Sequence, residues 1–366
     1  MRILVVNAGS SSLKLRLLDG ADRVVWNRQL PAREGRFDVA ALSAALHGLA
    51  EIDAVGHRVV HGGARLDRAA LVDDALRDEL AQLAALAPLH QPAALRALDA
   101  ARERFPDVSH YCCFDTAFHA TLSPAARTYA LPRPWREAWG LRRFGFHGLS
   151  HAWVARRVAL LAADAARSPR IVSCHLGAGA SVCAIDGGRS VDTSMGFTPL
   201  AGLPMATRCG DVDPGVLLWL LRSTSLDVDA LARGLNEQSG LLGLAGSGDM
   251  RTVLERAQRG DVDARLALDA FAHRLRAAIA AMAAAMGGID VLAFTGGVGE
   301  RAAAVRQAAA DGLGFLGVGV DGPRNERTCA DGDISAADAR ARTLVVQARE
   351  DAEIARQGRE LLLAAT

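Results

Sequence analysis

The chain has 366 residues, of which 50% are hydrophobic and 23% are charged, and its formal net charge is +1. This length predicts about two domains, and the composition is that of an ordinary soluble globular protein. The charge lacks the basic excess that binding to nucleic acid or to an anionic membrane requires. The six cysteines include no C-x-x-C pair, so we expect no zinc site and no disulfide framework, and reduced thiols indicate a cytoplasmic protein. No apolar run is long enough to span a bilayer.

Two similar hairpins, one at the N-terminus and one near the middle of the chain, are the first elements to consider. Ile3–Asp19 and Ile171–Asp186 each predict an apolar strand, a turn of Gly, Ala and Ser, and a second strand. A turn without bulky side chains leaves backbone N–H groups open, and such groups bind anions. The chain's one lysine, Lys14, lies in the first of these segments, where a flexible cation suits a phosphate. The pair predicts a duplicated fold that holds a phosphate, with two unrelated hairpins as the open alternative.

The rest of the first half contains three further candidate residues. Strands are predicted at 24–30, 54–63 and 108–114, and helices at 39–49, 73–86, 93–105 and 151–163, the last capped by Ser150. Arg58 and Val60 share one face of their strand, and a guanidinium beside a small apolar side chain suits a short carboxylic acid, with an ordinary surface arginine as the alternative. Asp115 follows a strand, and three roles are open for its carboxylate: a contact to magnesium, a base, or a cap for the next turn. His147 lies in a loop, with a ligand contact and a structural hydrogen bond as alternatives.

The second half contains a long irregular loop and a glycine-rich segment. Residues 192–215 are rich in Gly, Pro and Thr and carry Arg208, and a loop of this length in a compact enzyme is usually functional. Helices are predicted at 214–221, 228–234, 250–259 and 263–286, strands at 289–295 and 343–348, and a final helix after Asp351. Gly296–Glu300 follows a strand and opens a helix, an arrangement that suits a nucleotide.

Six segments carry a resemblance to one known family. They are Asn7-Ala-Gly-Ser-Ser-Ser-Leu-Lys14, His57-Arg-Val-Val-His-Gly-Gly63, Phe114-Asp-Thr-Ala-Phe-His119, Arg143-Phe-Gly-Phe-His-Gly-Leu-Ser-His151, Thr207-Arg-Cys-Gly-Asp-Val-Asp-Pro214 and Thr295-Gly-Gly-Val-Gly-Glu300. In this order they resemble the acetate kinases, a family of the acetate and sugar kinase, Hsp70 and actin superfamily. The resemblance implies an α/β fold of two duplicated actin-like, ribonuclease H-like domains with the active-site cleft between them. The implied domains are residues 1–149 and 150–351, with the C-terminal helix 352–366 packed back onto the first, and the implied assembly is a homodimer.

The resemblance also implies a reaction. It is reversible phosphoryl transfer from Mg-ATP to acetate by direct in-line attack, which gives acetyl phosphate and ADP. Because a carboxylate is already deprotonated at pH 7, no general base is needed, and the problem is to bring an anion to a polyanion. Arginines and a metal solve that problem. Two alternatives stay open: a kinase that prefers propionate or butyrate, and a nucleotide-binding module that transfers nothing, which would need neither Arg58 nor Arg208.

Site residues follow from the resemblance, position by position. Arg58 is expected to bind the acetate carboxylate, Arg208 to stabilise the transferring phosphoryl group, His147 to bond one of its equatorial oxygens, and Asp115 to organise magnesium. The implied metal residues, for Mg²⁺ or for Mn²⁺ in its place, are Asn7 and Glu350. The implied acid pocket comprises Arg58, Val60, Leu89, Phe146 and Pro199. The implied ATP contacts are Lys14, His175, Leu176, Gly177, Ala178, Gly179, Asp249, Met250, Arg251, Gly296, Gly297, Val298, Gly299 and Glu300.

The chain departs from the family's pattern at three places. Ala178 stands where the family usually has Asn, Ala206 stands where it has Gly, and Arg349 and Asp351 flank Glu350 where it has Asn-Glu-Glu. The first departure bears on ATP affinity and on the choice of phosphoryl donor. The other two bear on the geometry of the metal, and none of them changes the expected reaction class.

Overall fold

A computed structural model describes residues 1–9, 12–32, 37–49, 51–88, 90–161 and 168–364. The chain forms two units: unit 1 comprises Met1–Ala120, Phe146–Trp153 and Arg349–Thr366, and unit 2 comprises Thr121–Gly145 and Val154–Ala348. Each unit contains a six-stranded sheet. Within the described ranges, no helix is both long enough and apolar enough to cross a bilayer.

Unit 1 is built on a mixed sheet. Its strands are β1 (Ile3–Ala8), β2 (Ser12–Leu18), β3 (Val24–Pro31), β4 (Ala54–Val59), β5 (Ala70–Leu71) and β6 (Ser109–Phe114). They lie in the order β3-β2-β1-β4-β6-β5. The β1, β4 and β6 strands are parallel, and the other neighbouring pairs are antiparallel.

Unit 2 repeats this topology strand for strand. Its strands are β7 (Ile171–Leu176), β8 (Ala180–Asp186), β9 (Arg189–Thr193), β10 (Val291–Thr295), β11 (Gly332–Asp333) and β12 (Arg342–Val345). Their order, β9-β8-β7-β10-β12-β11, matches that of unit 1 when β7 takes the place of β1, with the same parallel and antiparallel pairs. The structure therefore confirms the duplication that the two hairpins predicted.

Helices flank and connect these strands. They are α1 (Val39–His47), α2 (Asp74–Gln82), α3 (Gln91–Arg104), α4 (Pro124–Arg127), α5 (Arg133–Trp139), α6 (Gly148–Leu161), α7 (Pro214–Ser223), α8 (Val228–Glu237), α9 (Gly240–Ala245), α10 (Met250–Gln258), α11 (Val262–Ala285), α12 (Gly296–Arg301), α13 (Ala303–Ala310), α14 (Gly322–Arg327) and α15 (Glu350–Ala364). Single 3₁₀ turns occur at Leu83–Leu86, Ala117–Thr121 and Gly314–Leu316.

Both faces of the unit 1 sheet are covered, which explains why Ile3–Val6 of β1 are all apolar. Leu4 and Val6 pack with α1 and α3, whereas Ile3 and Val5 pack with α15. Successive strand residues point to opposite faces, so only a continuous apolar run satisfies both layers. Tyr111 anchors α15, because its hydroxyl donates to the Ile354 carbonyl over 3.0 Å. This contact helps to hold the first turns of α15 against the sheet.

Some predicted bounds of helices and strands differ from those in the structure. The helix expected at 151–163 begins at Gly148, so Ser150 lies inside it and is not its N-cap, and the expected end at 163 lies outside the described residues. The strand expected to reach Gly63 ends at Val59, because the N–H groups of Gly62 and Gly63 donate to the side chains of Thr116 and His61 instead of to a neighbouring strand. The alternation that grouped Val60 with Arg58 therefore does not apply. The helix expected at 73–86 ends as a 3₁₀ turn.

Residues 121–145 belong to unit 2, whereas the sequence-based division placed them in a domain of residues 1–149. The reason is that these residues are hydrogen-bonded to residues 190–195, which belong to unit 2. Thr121 donates to the Ser190 carbonyl over 2.7 Å, and the Arg143 guanidinium donates to the carbonyls of Thr193 and Met195. Elsewhere in unit 2 the predicted irregular loop is present, and Asp213 caps α7 as expected.

Candidate active site

Three parallel strands of unit 1 bring residues predicted to bind acetate and the metal to one edge of the sheet. Asn7 of β1 stands in register with Arg58 of β4, which stands in register with Cys113 of β6. Asp115 follows β6 directly, and its N–H donates to the Val59 carbonyl over 3.1 Å. Open α/β sheets bind ligands at the carboxyl ends of their strands. The strand register thus unites residues that lie far apart in the chain.

The Arg58 guanidinium is the centre of a cluster formed by Asn7, Arg58, Asp115 and Glu350, which we call the Arg58 cluster. Nε and Nη2 of Arg58 donate to the Asp115 carboxylate, with 2.5 Å between Nη2 and Oδ2, and Nη1 donates to Asn7 Oδ1 over 3.1 Å. The Asn7 amide donates to Glu350 Oε2 over 3.1 Å. The side chains of Arg58 and Asp115 are 14% and 2% exposed, so water screens their pairing far less than at a surface.

Burial and charge act in opposite directions on this pair. Burial lowers the pKa of Arg58, but the charges of Asp115 and Glu350 raise it, and the net shift is upward. Burial raises the pKa of the Asp115 carboxyl, and the Arg58 charge and hydrogen bonds only partly offset this rise. Because two charged N–H donors contact the Asp115 oxygens, the carboxylate is favoured over the acid, and the two residues form an ion pair.

Gly148 links the predicted residue His147 to Asp115. The Gly148 N–H donates to the Asp115 carbonyl over 2.8 Å, and a Cβ at Gly148 would lie only 2.2 Å from that oxygen. Only glycine permits so close an approach. His147 has a φ of 57°, in the left-handed region that residues other than glycine rarely adopt. This strained turn places the His147 backbone beside the loop that carries Asp115.

The predicted acid pocket is described in part. Val60 and Phe146 are buried, and the Phe146 ring packs edge-on against His61 with 5.6 Å between ring centres. His119 Nε2 donates to the Phe146 carbonyl over 3.0 Å. Leu89 lies outside the described residues. Of the predicted pocket residues in unit 1, the two that the structure describes as apolar, Val60 and Phe146, are therefore packed inside the fold.

Arg349 and Asp351, which depart from the family's pattern, hold the start of α15. Arg349 Nε donates to Asp351 Oδ1 over 3.0 Å, and Arg349 Nη2 donates to the Asp22 carbonyl over 2.7 Å. Arg16 Nη1 lies 3.1 Å from the Asp351 carboxylate, which is 6% exposed. Asp351 is thus engaged by two arginines, and Glu350 is the acid of this segment that joins the Arg58 cluster.

Lys14, a predicted ATP contact, lies directly opposite Asn7 in the ladder between β1 and β2. Directly opposed residues of an antiparallel pair project from the same face of a sheet. Lys14 is exposed. The strand pairing therefore places a flexible cation next to the Arg58 cluster.

Two of the predicted ATP segments lie side by side in unit 2. Because β7 and β10 are parallel neighbours, the turn Gly177–Gly179 and the segment Gly296–Glu300 follow them at the same end of the sheet. His175 lies on β7 just before the turn. Gly296 has a φ of 80°, and a Cβ there would lie 2.7 Å from the Leu176 carbonyl. Glycine is required where the second segment crosses the first.

The loop that carries Arg208 is bonded to the first of these turns. The Ala206 N–H donates to the Ala178 carbonyl over 3.1 Å, and the Met205 N–H donates to the Arg208 carbonyl over 3.0 Å. Arg208 Nη1 donates to the carbonyl of Pro199, the predicted pocket residue of unit 2, over 3.2 Å. Ala178 and Ala206, two positions that depart from the family's pattern, are therefore joined by a backbone hydrogen bond.

The third predicted ATP segment lies next to the same loop. A Cβ at Gly248 would approach the Ala206 carbonyl to 3.0 Å. Asp249 caps α10, and its carboxylate pairs with Arg251 at 2.8 Å, which lowers the Asp249 pKa. The Met250 side chain is buried in the core. Asp249 and Arg251 are therefore the members of this segment that offer side chains to a ligand.

Three residues hold these segments in place in ways that the sequence did not predict. Glu300 was predicted as an ATP contact, but its side chain is buried and its Oε1 accepts the Ala348 N–H over 3.1 Å. Gly148 was part of a motif but had no role, and the buried Arg306 belonged to no motif. A signal for Arg306 was its position shortly after Gly296–Glu300, although arginines are frequent throughout this chain.

Asn7, Asp115 and Glu350 supply oxygen atoms, the ligands that Mg²⁺ prefers. Magnesium in kinases is usually held by one or two carboxylates together with phosphates and waters, and not by a complete protein cage. In keeping with this, the part of the chain that the structure describes has no group of three or more His, Cys, Asp or Glu arranged to hold a metal. The donor set fits a divalent cation that is bound together with a nucleotide.

Comparison with known proteins identifies the family. The pattern of the acetokinase family matches residues 36–356. The chain is 46% identical to an acetate kinase of Leifsonia xyli subsp. xyli over 99% of both chains, and 42% identical to a propionate kinase of Citrobacter rodentium over 100% of this chain and 98% of the relative. The crystal structure of Porphyromonas gingivalis acetate kinase superposes with a TM-score of 0.90, at 33% identity and 99% coverage of both chains.

These similarities confirm the duplicated actin-like fold and the class of reaction that the six segments predicted. They also imply an ATP-dependent enzyme that works with a divalent cation. The chain belongs to the acetokinase family, whose members are kinases that transfer a phosphoryl group to a carboxylate.

Proposed function

We propose that this chain is an acetate kinase, which transfers the γ-phosphoryl group of ATP reversibly to acetate and gives acetyl phosphate and ADP. The observation that carries the proposal is the Arg58 cluster. Bonds to Asn7 and Asp115 use the Nε–H and one N–H on each terminal nitrogen of Arg58. One N–H remains on each terminal nitrogen, and two such donors suit a carboxylate.

The proposed mechanism divides the charges among three side chains. Arg58 binds the acetate carboxylate and neutralises it, so that an anion can approach a polyanion. Arg208 stabilises the charge that spreads over the phosphoryl oxygens in the loose transition state, and His147 donates to one equatorial oxygen. Because acetate is already deprotonated at neutral pH, attack is direct and needs no proton acceptor.

The cation is proposed to be Mg²⁺, with Mn²⁺ able to replace it. When bound, it neutralises phosphate charge. Asn7, Asp115 and Glu350 would hold it, directly or through water, and Asp115 at the same time keeps the Arg58 guanidinium in place. Contacts to ATP are proposed for His175–Gly179, Asp249–Arg251 and Gly296–Glu300, in the last case through its backbone.

Propionate is the second candidate acceptor, because a propionate kinase is among the relatives of this chain. The two acids differ by one CH₂, which is worth about 0.8 kcal/mol when fully buried. Discrimination between them is therefore expected to be modest and to depend on the room beside Val60 and Phe146. Both side chains are large enough to favour the smaller acid.

The test is the formation of acyl hydroxamate from Mg-ATP and each of acetate, propionate and butyrate. We expect the highest kcat/KM with acetate, and we expect Arg58→Ala to raise the KM for acetate more than the KM for ATP. If kcat/KM is higher with propionate than with acetate, propionate replaces acetate as the proposed acceptor. ADP binding without acyl phosphate from any acid would refute it.

We also propose that the enzyme is a homodimer that pairs through α7 and α8. Neither helix has a buried residue, and both expose large apolar side chains, with Trp219 60% and Val228 68% exposed. Apolar surface of this kind is typical of protein interfaces. Light scattering should give twice the chain mass, and Trp219→Glu should shift the protein toward the monomer.

A cytoplasmic location is the last part of the proposal. All six cysteines are free thiols. Cys112 and Cys113 are adjacent and buried, and burial raises the pKa of both thiols. Buried protonated thiols are unreactive and suit a reducing compartment. Cell fractionation with an activity assay tests the location.

A further inference from the structure

Arg306 of α13 is a buried cation that pairs with no carboxylate among the residues that the structure describes. It is 1% exposed, and its guanidinium makes five hydrogen bonds. The acceptors are the carbonyls of Gly299, Glu300, Asn325 and Thr328 and the side-chain oxygen Oδ1 of Asn325, at 2.6 to 3.1 Å. An arginine has five N–H donors, so the side chain is fully satisfied by uncharged acceptors.

The ends of two short helices explain this arrangement. The last carbonyls of a helix have no donor within the helix. α12 ends at Arg301 and the chain turns at Ala302, so the carbonyls of Gly299 and Glu300 need another donor, and Arg306 supplies it. Asn325 and Thr328 lie at the end of α14. One guanidinium therefore caps two helix ends, where a positive charge is favoured by both helix dipoles.

The bonds extend from Arg306 to the segment that follows β10. Asn325 Nδ2 donates to the Ala303 carbonyl over 2.9 Å, which ties α14 to the first residue of α13. Glu300, whose carbonyl Arg306 holds, also accepts the Ala348 N–H with its carboxylate. These bonds join the end of α12 to α13, α14 and the segment before α15.

We infer that Arg306 is a positioning residue for the nucleotide. It holds the backbone of Gly296–Glu300 in place through its bonds to the carbonyls of Gly299 and Glu300, and it does not itself contact the ligand. This inference rests on the proposed function, in which that segment contacts ATP. A glycine-rich segment has little conformational preference of its own, so ordering it costs entropy that a fixed support removes in advance. A segment held in place before binding gives a higher affinity than one that must be ordered by the ligand.

Lysine is not equivalent to arginine at this site. An ammonium group has three donors around one nitrogen, whereas the acceptors of Arg306 lie around a planar fork. Arg306→Lys should keep the charge and most of the volume but leave at least two carbonyls without a donor. We expect the KM for ATP to rise about tenfold, the equivalent of one to two lost hydrogen bonds, with the KM for acetate within twofold of the parent.

Arg170→Lys is the matched control in the same sheet. Arg170 holds the opposite end of β10 through Asp290 and the Gly287 carbonyl. This variant should lower the melting temperature without changing the KM for ATP. Asn325→Ala is a milder second variant, since it keeps Arg306 and removes one of its acceptors, and we expect a rise in KM for ATP of about threefold.

The experiment combines steady-state kinetics with calorimetric binding of ADP to the parent enzyme and to all three variants. Weaker ADP binding in Arg306→Lys and Asn325→Ala, with an unchanged KM for acetate, supports the inference. If Arg306→Lys does not fold, Asn325→Ala decides by the same criterion. Loss of stability with ADP binding equal to that of the parent would show that Arg306 serves the fold alone. A parent enzyme that does not bind ADP would instead overturn the proposed function.

Discussion

Substitution of Gly148 by alanine should separate the geometry of the site from its chemistry, because Gly148 carries no functional group. A Cβ at this position would lie 2.2 Å from the Asp115 carbonyl oxygen and 2.9 Å from Phe118 Cβ. Real Cβ atoms stay beyond 3.0 Å, so the two backbones must separate by at least about 0.8 Å. The bond from Gly148 N–H to Asp115, now 2.8 Å, would then be broken.

The expected losses follow from this displacement. Forced repacking of this kind costs about 1–3 kcal/mol of unfolding free energy. A shift of about 1 Å at a catalytic group lowers the rate roughly 10²-fold, so kcat should fall by that factor while the KM for ATP changes little. Urea unfolding and the hydroxamate assay measure the two losses separately.

Gly48→Ala is the matched control in the same unit, because a Cβ at Gly48 meets nothing within 4 Å. It should leave stability and kinetics close to those of the parent. If Gly148→Ala retains kcat within twofold, the close approach to Asp115 does not position His147 for the reaction, and the argument is wrong.

Three further predictions concern single side chains. Arg208→Lys should fold normally and lose about 10²-fold or more in kcat, because an ammonium cannot reproduce the planar fork; turnover within a few-fold of the parent would remove Arg208 from the transition state. Ala178→Asn should lower the KM for ATP, because it adds a side-chain amide donor to the turn Gly177–Gly179, whose backbone N–H groups are already expected to face the phosphates. A parent enzyme that works better with pyrophosphate or another nucleotide, together with an unchanged KM for ATP in the variant, would contradict this. Burial lowers the pKa of His57 and of His110 below the ordinary 6.5, so as the pH falls the unfolded chain takes up these protons before the folded chain does. The contribution of the two histidines to stability should therefore be constant above about pH 6.5 and fall below it by up to about 1.4 kcal/mol per pH unit for each histidine, until its folded-state pKa is reached. Urea unfolding between pH 5.5 and 7.5 checks this, and an equal slope in His57→Gln would exclude His57 as a source.

Much of the fold was open to prediction because its signals are local. The hairpins β1–β2 and β7–β8 were visible as apolar strands around small-residue turns, and Asp213 was visible as a cap. These features depend on residues a few positions apart. The six family segments added the reaction class, since each keeps its residues in a fixed local order.

The errors arose where a local pattern competed with a distant contact. Ser150 had the right chemistry for an N-cap, but α6 begins at Gly148 because that N–H reaches the Asp115 carbonyl. The apolar pattern after Arg58 continued past Val59, but the strand ended where Thr116 offered another acceptor to Gly62. Neither partner is apparent from the segment itself.

The pairings in the site itself depend on tertiary structure. Arg58 and Asp115 are 57 residues apart in the chain, and Asn7 and Glu350 are 343 apart, yet strand register and the start of α15 bring the four into hydrogen-bonding distance. Arg58 and Asp115 could be proposed from the sequence, because charge and shape belong to the residues themselves, whereas Asn7 and Glu350 were proposed only through the resemblance to the acetate kinases. The sequence did not point to Arg306, because the acceptors of that side chain are mostly backbone carbonyls, which every residue has and which converge on one guanidinium only in the folded chain.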